Sequence, residues 1–152
     1  MKDKNSEIID IGCGTGLSGQ ETILKGFYNI DGADFSEKML EEAKLKKIYR
    51  SLFTLDLNKN NFKLDKSYDA IIAAGVISPN HAKPECLKNC LDYLKPQGII
   101  IFSLNDHAYA DKIFMTKINK IIETYKLKIL EKEYGEHLKK INLKSWIYVL
   151  KR

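Results

Sequence analysis

The segment Ile8-Ile9-Asp10-Ile11-Gly12-Cys13-Gly14-Thr15-Gly16-Leu17 carries the densest information in the chain. Residues 7–11 form a short apolar run that stops at glycine, the pattern of a buried strand. Residues 17–25 then read as a helix closed by Gly26. The intervening glycines let the backbone turn sharply and approach a ligand, ahead of a helix N-terminus with free N–H groups. Two registers fit this loop. Gly14-Thr15-Gly16-Leu17-Ser18-Gly19 matches the GxGxxG pattern of dinucleotide sites. Counted from Gly12, where the strand ends, the sixth position is Leu17, too large for the close helix approach that a pyrophosphate requires. The second register favours a nucleoside ligand without a pyrophosphate. A nicotinamide-dependent oxidoreductase is the lesser alternative.

Outward from this loop, strand-like and helix-like stretches alternate. Residues 28–33 read as a second strand. Ser36 starts a helix as its N-cap, with Glu37 in the first turn and Met39, Leu40, Ala43 and Ile48 as its apolar stripe. Residues 51–55 form a third strand, 58–66 a polar loop, and 68–73 a fourth strand. Residues 85–94 are helical, with Cys86, Leu87, Cys90, Leu91 and Leu94 inward. A turn at 95–98 leads to a fully buried fifth strand, 99–103. A long helix spans 110–125, and 127–134 and 143–150 form a final strand pair joined across 135–142.

Strands separated by helical patterns imply right-handed crossovers. The prediction is an α/β fold: a doubly wound, Rossmann-like sheet of seven strands, mostly parallel, with helices on both faces and an antiparallel last strand. The terminal pair breaks the rhythm, which predicts the antiparallel strand at one sheet edge. Ligands in such sheets bind outside the carboxyl ends of the strands.

Composition agrees with one domain over residues 1–152. Hydrophobic residues make up 44% and charged residues 30%, which excludes collagen-like, mucin-like and disordered chains. No apolar run approaches a membrane span, and the first residues lack a signal-peptide core, so an intracellular, cytoplasmic location is expected. The net charge is +5, yet Arg50 and Arg152 are the only arginines among 25 basic residues. Lysines interleaved with acids read as a solvated surface, and nucleic acid is not expected as a partner. The three cysteines, Cys13, Cys86 and Cys90, are an odd number with no histidine nearby, so neither a disulfide framework nor a metal site is expected.

The run Asp10 to Gly16 resembles the first motif of class I S-adenosylmethionine-dependent methyltransferases. Asp34, within Gly32-Ala33-Asp34-Phe35-Ser36-Glu37-Lys38-Met39-Leu40, stands where that family carries its second acidic element. Thr54-Leu55-Asp56-Leu57, residues 68–73 and Leu94-Lys95-Pro96-Gln97-Gly98 resemble its later motifs, the last with Gln97 where glycine is usual. The five motifs cover residues 7 to 103 in order. Within the class, residues 12–39, Gly75-Val76-Ile77-Ser78 and His81 resemble the methyltransferase-like proteins named after the Williams–Beuren deletion region. Those proteins carry a few dozen residues before the first motif. Here six precede Glu7, so N-terminal cap helices are expected to be absent.

The resemblance implies the roles. Gly12, Cys13, Gly14, Thr15 and Gly16 run along the methionine part and ribose of S-adenosylmethionine. Asp10 accepts from the cofactor ammonium, directly or through water. Asp34 holds the ribose hydroxyls, Phe35 packs on adenine, and Met39 belongs to the same motif. Asp56 accepts from the adenine amino group, the Leu57 N–H faces the ring, and Ala74 lines the methionine end. Asp69 is structural. A proton acceptor, where one is needed, is sought among Ser78, Asn80, His81, Asn105, Asp106, His107 and Tyr109, with His81 the single candidate named. No motif for exocyclic amines or pyrimidine carbon is present. The implied activity is methyl transfer to an unidentified acceptor, a small molecule ahead of a protein side chain. The rival reading is an inactive cofactor-binding or protein-interaction module.

Overall fold

A computed structural model describes residues 3–59, 62–138 and 143–152. The elements in order are β1 (Ile8–Ile11), α1 (Leu17–Leu24), β2 (Ile30–Asp34), α2 (Glu37–Leu45), β3 (Leu52–Thr54) and β4 (Tyr68–Ala73). Then follow α3 (Glu85–Asp92), β5 (Leu94–Asn105), α4 (Asp106–Ala110), α5 (Lys112–Thr124), β6 (Lys128–Leu138) and β7 (Leu143–Lys151). The predicted loop 58–66 and connection 135–142 fall partly outside the described residues, as do Met1 and Lys2.

The seven strands make one sheet in the order β3-β2-β1-β4-β5-β7-β6. Pairing is parallel from β3 through β5 and antiparallel on both sides of β7. The antiparallel strand is not at the edge: β7 fills the slot between β5 and β6. The side chains explain the choice. β7 sets Trp146, Tyr148 and Leu150 on one face, opposite Leu104, Phe102 and Ile100 of β5. β6 carries Lys128, Glu131, Lys132 and Glu133, all exposed, and charge is what protects an edge from further pairing.

The main core lies on the face carrying Ile9, Ile11, Ile71, Phe102 and Leu104, closed by Cys86, Leu87, Cys90 and Leu91 of α3 and by Phe114 and Ile118 of α5. The inward stripe of α3 is as its spacing predicts. Burial pushes the Cys86 thiol up to about 12 and Cys90 well above its usual range, so both are packing groups rather than nucleophiles. The opposite face carries Ile8, Ile30 and Ala70 beneath Ile23 of α1, with Phe27 and Tyr49 alongside.

The helix expected over 110–125 is α5, and a short helix, α4, precedes it. Asp111 takes an extended conformation, and its carboxylate accepts from the N–H groups of Ile113 and Phe114, starting α5 anew. The expected turn at 95–98 sits inside β5 as a bulge, where the register jumps from Tyr68↔Leu94 to Ala70↔Ile99. Gln97 supplies a positive φ of 65° there, a conformation usually left to glycine.

At the amino ends of β1, β2 and β4 a charge network ties the sheet. Arg50 donates to both oxygens of Glu7 at 2.8 and 2.7 Å and reaches Asp31 at 3.1 Å. Lys66 bridges Glu7 at 2.7 Å and Asp31 at 2.9 Å, and the Tyr68 hydroxyl donates to Asp31 at 3.2 Å. The Arg50 hydrogen bonds, aided by Lys66, hold the Glu7 carboxyl down at about 2, against an ordinary 4.5. A depressed carboxyl stabilises the fold above its unfolded value, and that contribution disappears as pH falls toward 2. In acid titrations of stability, Glu7→Gln should therefore lose less than the unsubstituted chain between pH 4.5 and 2. Gly32 is enclosed: a Cβ there would lie 2.7 Å from Leu52 Cδ2 and 2.9 Å from Tyr49 Cδ1. Gly32→Ala should cost about 1–3 kcal/mol by overpacking, read by chemical denaturation.

Candidate cofactor cleft

The chain leaves β1 through a turn that β2 holds. The N–H groups of Gly12 and Cys13 both donate to the Ala33 carbonyl, at 2.7 and 3.0 Å. The Gly14 N–H donates to Asp34 Oδ2 at 2.8 Å, and the Ser36 N–H to Asp34 Oδ1 at 2.9 Å. Ser36 then caps α2, its hydroxyl accepting from the Met39 N–H. One carboxylate thus joins the glycine loop to the start of α2, and a carboxylate retains further lone pairs for a ligand. Gly12 must be small, since a Cβ there would sit 2.7 Å from Val76 Cβ.

These residues open onto a cleft of about 640 Å³ at the carboxyl ends of β1 to β4. Gly12 and Gly14 of the loop after β1, Asp34, Phe35 and Met39 from β2 and α2, Leu55 to Asn58 after β3, and Gly75, Val76, Asn80, His81 and Ala82 after β4 line it. The size falls within the range of small-molecule sites. Phe35 is 71% exposed and Met39 42%, although both sit on the cleft wall. Apolar side chains left open in a recess are what an aromatic ligand covers.

The loops after β3 and β4 are pinned to one another. Asp56 Oδ1 accepts from the Asn58 N–H at 2.9 Å. Asn58 then donates from Nδ2 to the His81 carbonyl at 3.0 Å and accepts from the Lys83 N–H at 3.0 Å. The Gly75 N–H donates to Ser103 Oγ at 2.7 Å, so β5 steadies the loop after β4. His81 is exposed at the cleft, its own N–H bound to the Ser78 carbonyl.

Asp10 lies behind the loop, fully buried and outside the lining. Its Oδ2 accepts from Ser18 Oγ and the Tyr49 hydroxyl, each at 2.6 Å, while Oδ1 has no partner. Burial raises its ionisation range despite those two donors. Burial likewise pushes the Cys13 thiol up to about 12.

Of the residues expected to act, Gly12, Gly14, Asp34, Phe35, Met39, Asp56, Leu57 and His81 meet in one cleft. Asp10, Cys13, Thr15, Gly16 and Ala74 do not line it; Gly75 and Val76 stand where Ala74 was expected. Asn105 caps α4, Asp106 accepts from the Tyr134 hydroxyl, and Tyr109 stacks on Trp146. Asp69 accepts from the Glu7 N–H and Lys95, the structural role expected of it. The rival glycine register resolves too. α1 begins at Leu17, and Gly19 lies inside it, where a Cβ would meet the Tyr49 ring. Asn58 and Tyr49 were not anticipated; an asparagine two residues after Asp56 was the signal for the first. No metal-binding cluster and no helix long and apolar enough to cross a membrane occur among the described residues.

Residues 9–100 match the family described as a methyltransferase domain. Methyltransferase-like protein 27 from Homo sapiens is 33% identical over 106 residues, covering 66% of this chain and 41% of that protein. Malonyl-[acyl-carrier protein] O-methyltransferase from Halalkalibacterium halodurans is 34% identical over 109 residues, covering 67% of this chain and 40% of that protein. The chain thus spans about two fifths of these curated relatives. The N-methyltransferase NodS from Bradyrhizobium japonicum WM9, solved in complex with S-adenosyl-L-homocysteine, shares the fold. Its TM-score is 0.72 at 14% identity, over 97% of this chain and 79% of that one. Asn58→Ala should lower stability by about 1 kcal/mol and speed amide exchange at Lys83, both measurable on the ligand-free protein.

Proposed function

The chain belongs to the methyltransferase domain family, and on that premise we propose that its cleft binds S-adenosylmethionine for methyl transfer to an acceptor. The observation that carries this reading is Asp34. Its carboxylate is fixed by the Gly14 and Ser36 N–H groups at the cleft wall, beside an open Phe35 ring. That arrangement suits a ribose diol next to a flat base. The cleft residues fit such a group: Asp34 for the hydroxyls, Phe35, Met39 and Leu57 for the adenine faces, and Asp56 for its amino group. Gly12 and Gly14 give the backbone close approach, and Asp10, buried behind the loop with its Oδ1 unpartnered, is proposed to reach the ammonium group through water.

S-adenosylmethionine, when bound, supplies an activated sulfonium methyl. This chain's residues then have two tasks, alignment and exclusion of water. Val76 and Ala82 present apolar surface to the cleft, and Asn58 ties the His81 loop to the segment after β3. His81 is our candidate to take a proton from the acceptor. The acceptor is proposed to be a small molecule, since the cleft is a concave recess rather than a flat surface. Its reacting atom stays open, because the relatives named above include both an O- and an N-methyltransferase.

Asp34→Ala should weaken S-adenosylmethionine binding at least tenfold, about 1.4 kcal/mol, by isothermal titration calorimetry. An unchanged affinity contradicts the ribose role. Micromolar binding without product in any acceptor screen favours the binding-module reading instead.

A further inference from the structure

We propose that Tyr49 is a positioning residue of the cofactor site, shaping the glycine loop with its ring and orienting Asp10 with its hydroxyl from outside the cleft. The inference rests on the cofactor reading above. Tyr49 stands between α2 and β3 and does not line the cleft. Three glycines from three elements make room for its ring. A Cβ on Gly16, in the loop, would lie 3.1 Å from Tyr49 Cε2. A Cβ on Gly19, in α1, would lie 2.8 Å from Cε1, and one on Gly32, in β2, 2.9 Å from Cδ1. The ring is therefore the template against which the loop, the helix and the strand are packed. Gly19, the last residue of the formal GxGxxG match, is enclosed by this ring.

The hydroxyl performs the second task. It donates to Asp10 Oδ2 at 2.6 Å, beside the Ser18 hydroxyl at the same distance. The groups around Asp10 are few. From α1 come Ser18 and the Gly19 backbone, from the loop the buried Cys13 thiol, from the end of β2 the Asp34 carboxylate, and from the β3 side Tyr49 itself. No ion pair among the described residues includes Asp10. A buried carboxylate without a cation depends on such donors to ionise. Burial opposes the charge on Asp10; the Ser18 and Tyr49 bonds favour it. The charged form is the better acceptor for a ligand ammonium group. Tyr49 thus governs both where Asp10 points and the pH at which it carries charge.

The test compares the unsubstituted chain with Tyr49→Phe, which keeps the ring, and Tyr49→Leu, which loses it. The Asp10 carboxyl carbon is followed by NMR against pH in the ligand-free proteins, and S-adenosylmethionine affinity is measured by calorimetry over the same range. Tyr49→Phe should raise the Asp10 midpoint. Below that midpoint it should weaken binding about tenfold, for a shift of about one pH unit, with recovery at higher pH. Ser18→Ala should move the midpoint the same way. Tyr49→Leu should add a loss of affinity at every pH. A merely structural tyrosine would lower the melting temperature and leave the midpoint where it was. Coincident midpoints in a chain that binds the cofactor overturn this inference alone, as does a moved midpoint with an unmoved binding profile. An unsubstituted chain that binds no S-adenosylmethionine overturns the cofactor reading and this inference with it.

Discussion

The carboxyl ends of β1 and β2 are stitched by four backbone N–H groups and two acceptors. Ala33 takes the N–H groups of Gly12 and Cys13 on its carbonyl, and Asp34 takes those of Gly14 and Ser36 on its carboxylate. Bonds to an ionised acceptor are the stronger kind. They set where the loop leaves β1, where α1 begins and where α2 begins. Phe35 is held between two of these anchored residues, which is why its ring faces an open recess instead of the core. The rest of the cleft is built against this corner.

The two ends of the sheet divide the labour. At the amino ends, Glu7 and Asp31 are paired with Arg50 and Lys66, so charge is matched and serves stability. At the carboxyl ends, Asp10 and Asp34 stand near one another with hydroxyl and N–H donors in place of cations. A site that leaves carboxylates without cations costs stability and suits a ligand that brings positive charge.

Much of the fold was legible locally. β4 has the predicted bounds because a polar loop precedes its apolar run and a turn at Gly75 follows it. Ser36 caps α2 as its type and place predict. The inward stripe of α3 follows from its spacing. Asp111, second in the helix expected over 110–125, is instead the N-cap of α5, because its short side chain accepts from the backbone N–H groups that follow. The site was legible where one motif carries several of its residues, as from Gly12 to Met39. It was not legible at Ala74, where a one-residue difference in a turn decides which backbone meets the cleft.

Strand and helix order, the glycine turn, the acidic residue after β2 and the family resemblance all follow from the sequence, because period, caps and glycine placement are local properties of the chain. The insertion of β7 beside β5, the bridge from Asn58 to His81 and the meeting of Tyr49 with Asp10 arise only in the folded molecule. Each joins segments that are far apart along the chain, some 39 residues for Tyr49 and Asp10. Packing and hydrogen-bond geometry select such partners, and no local pattern encodes them.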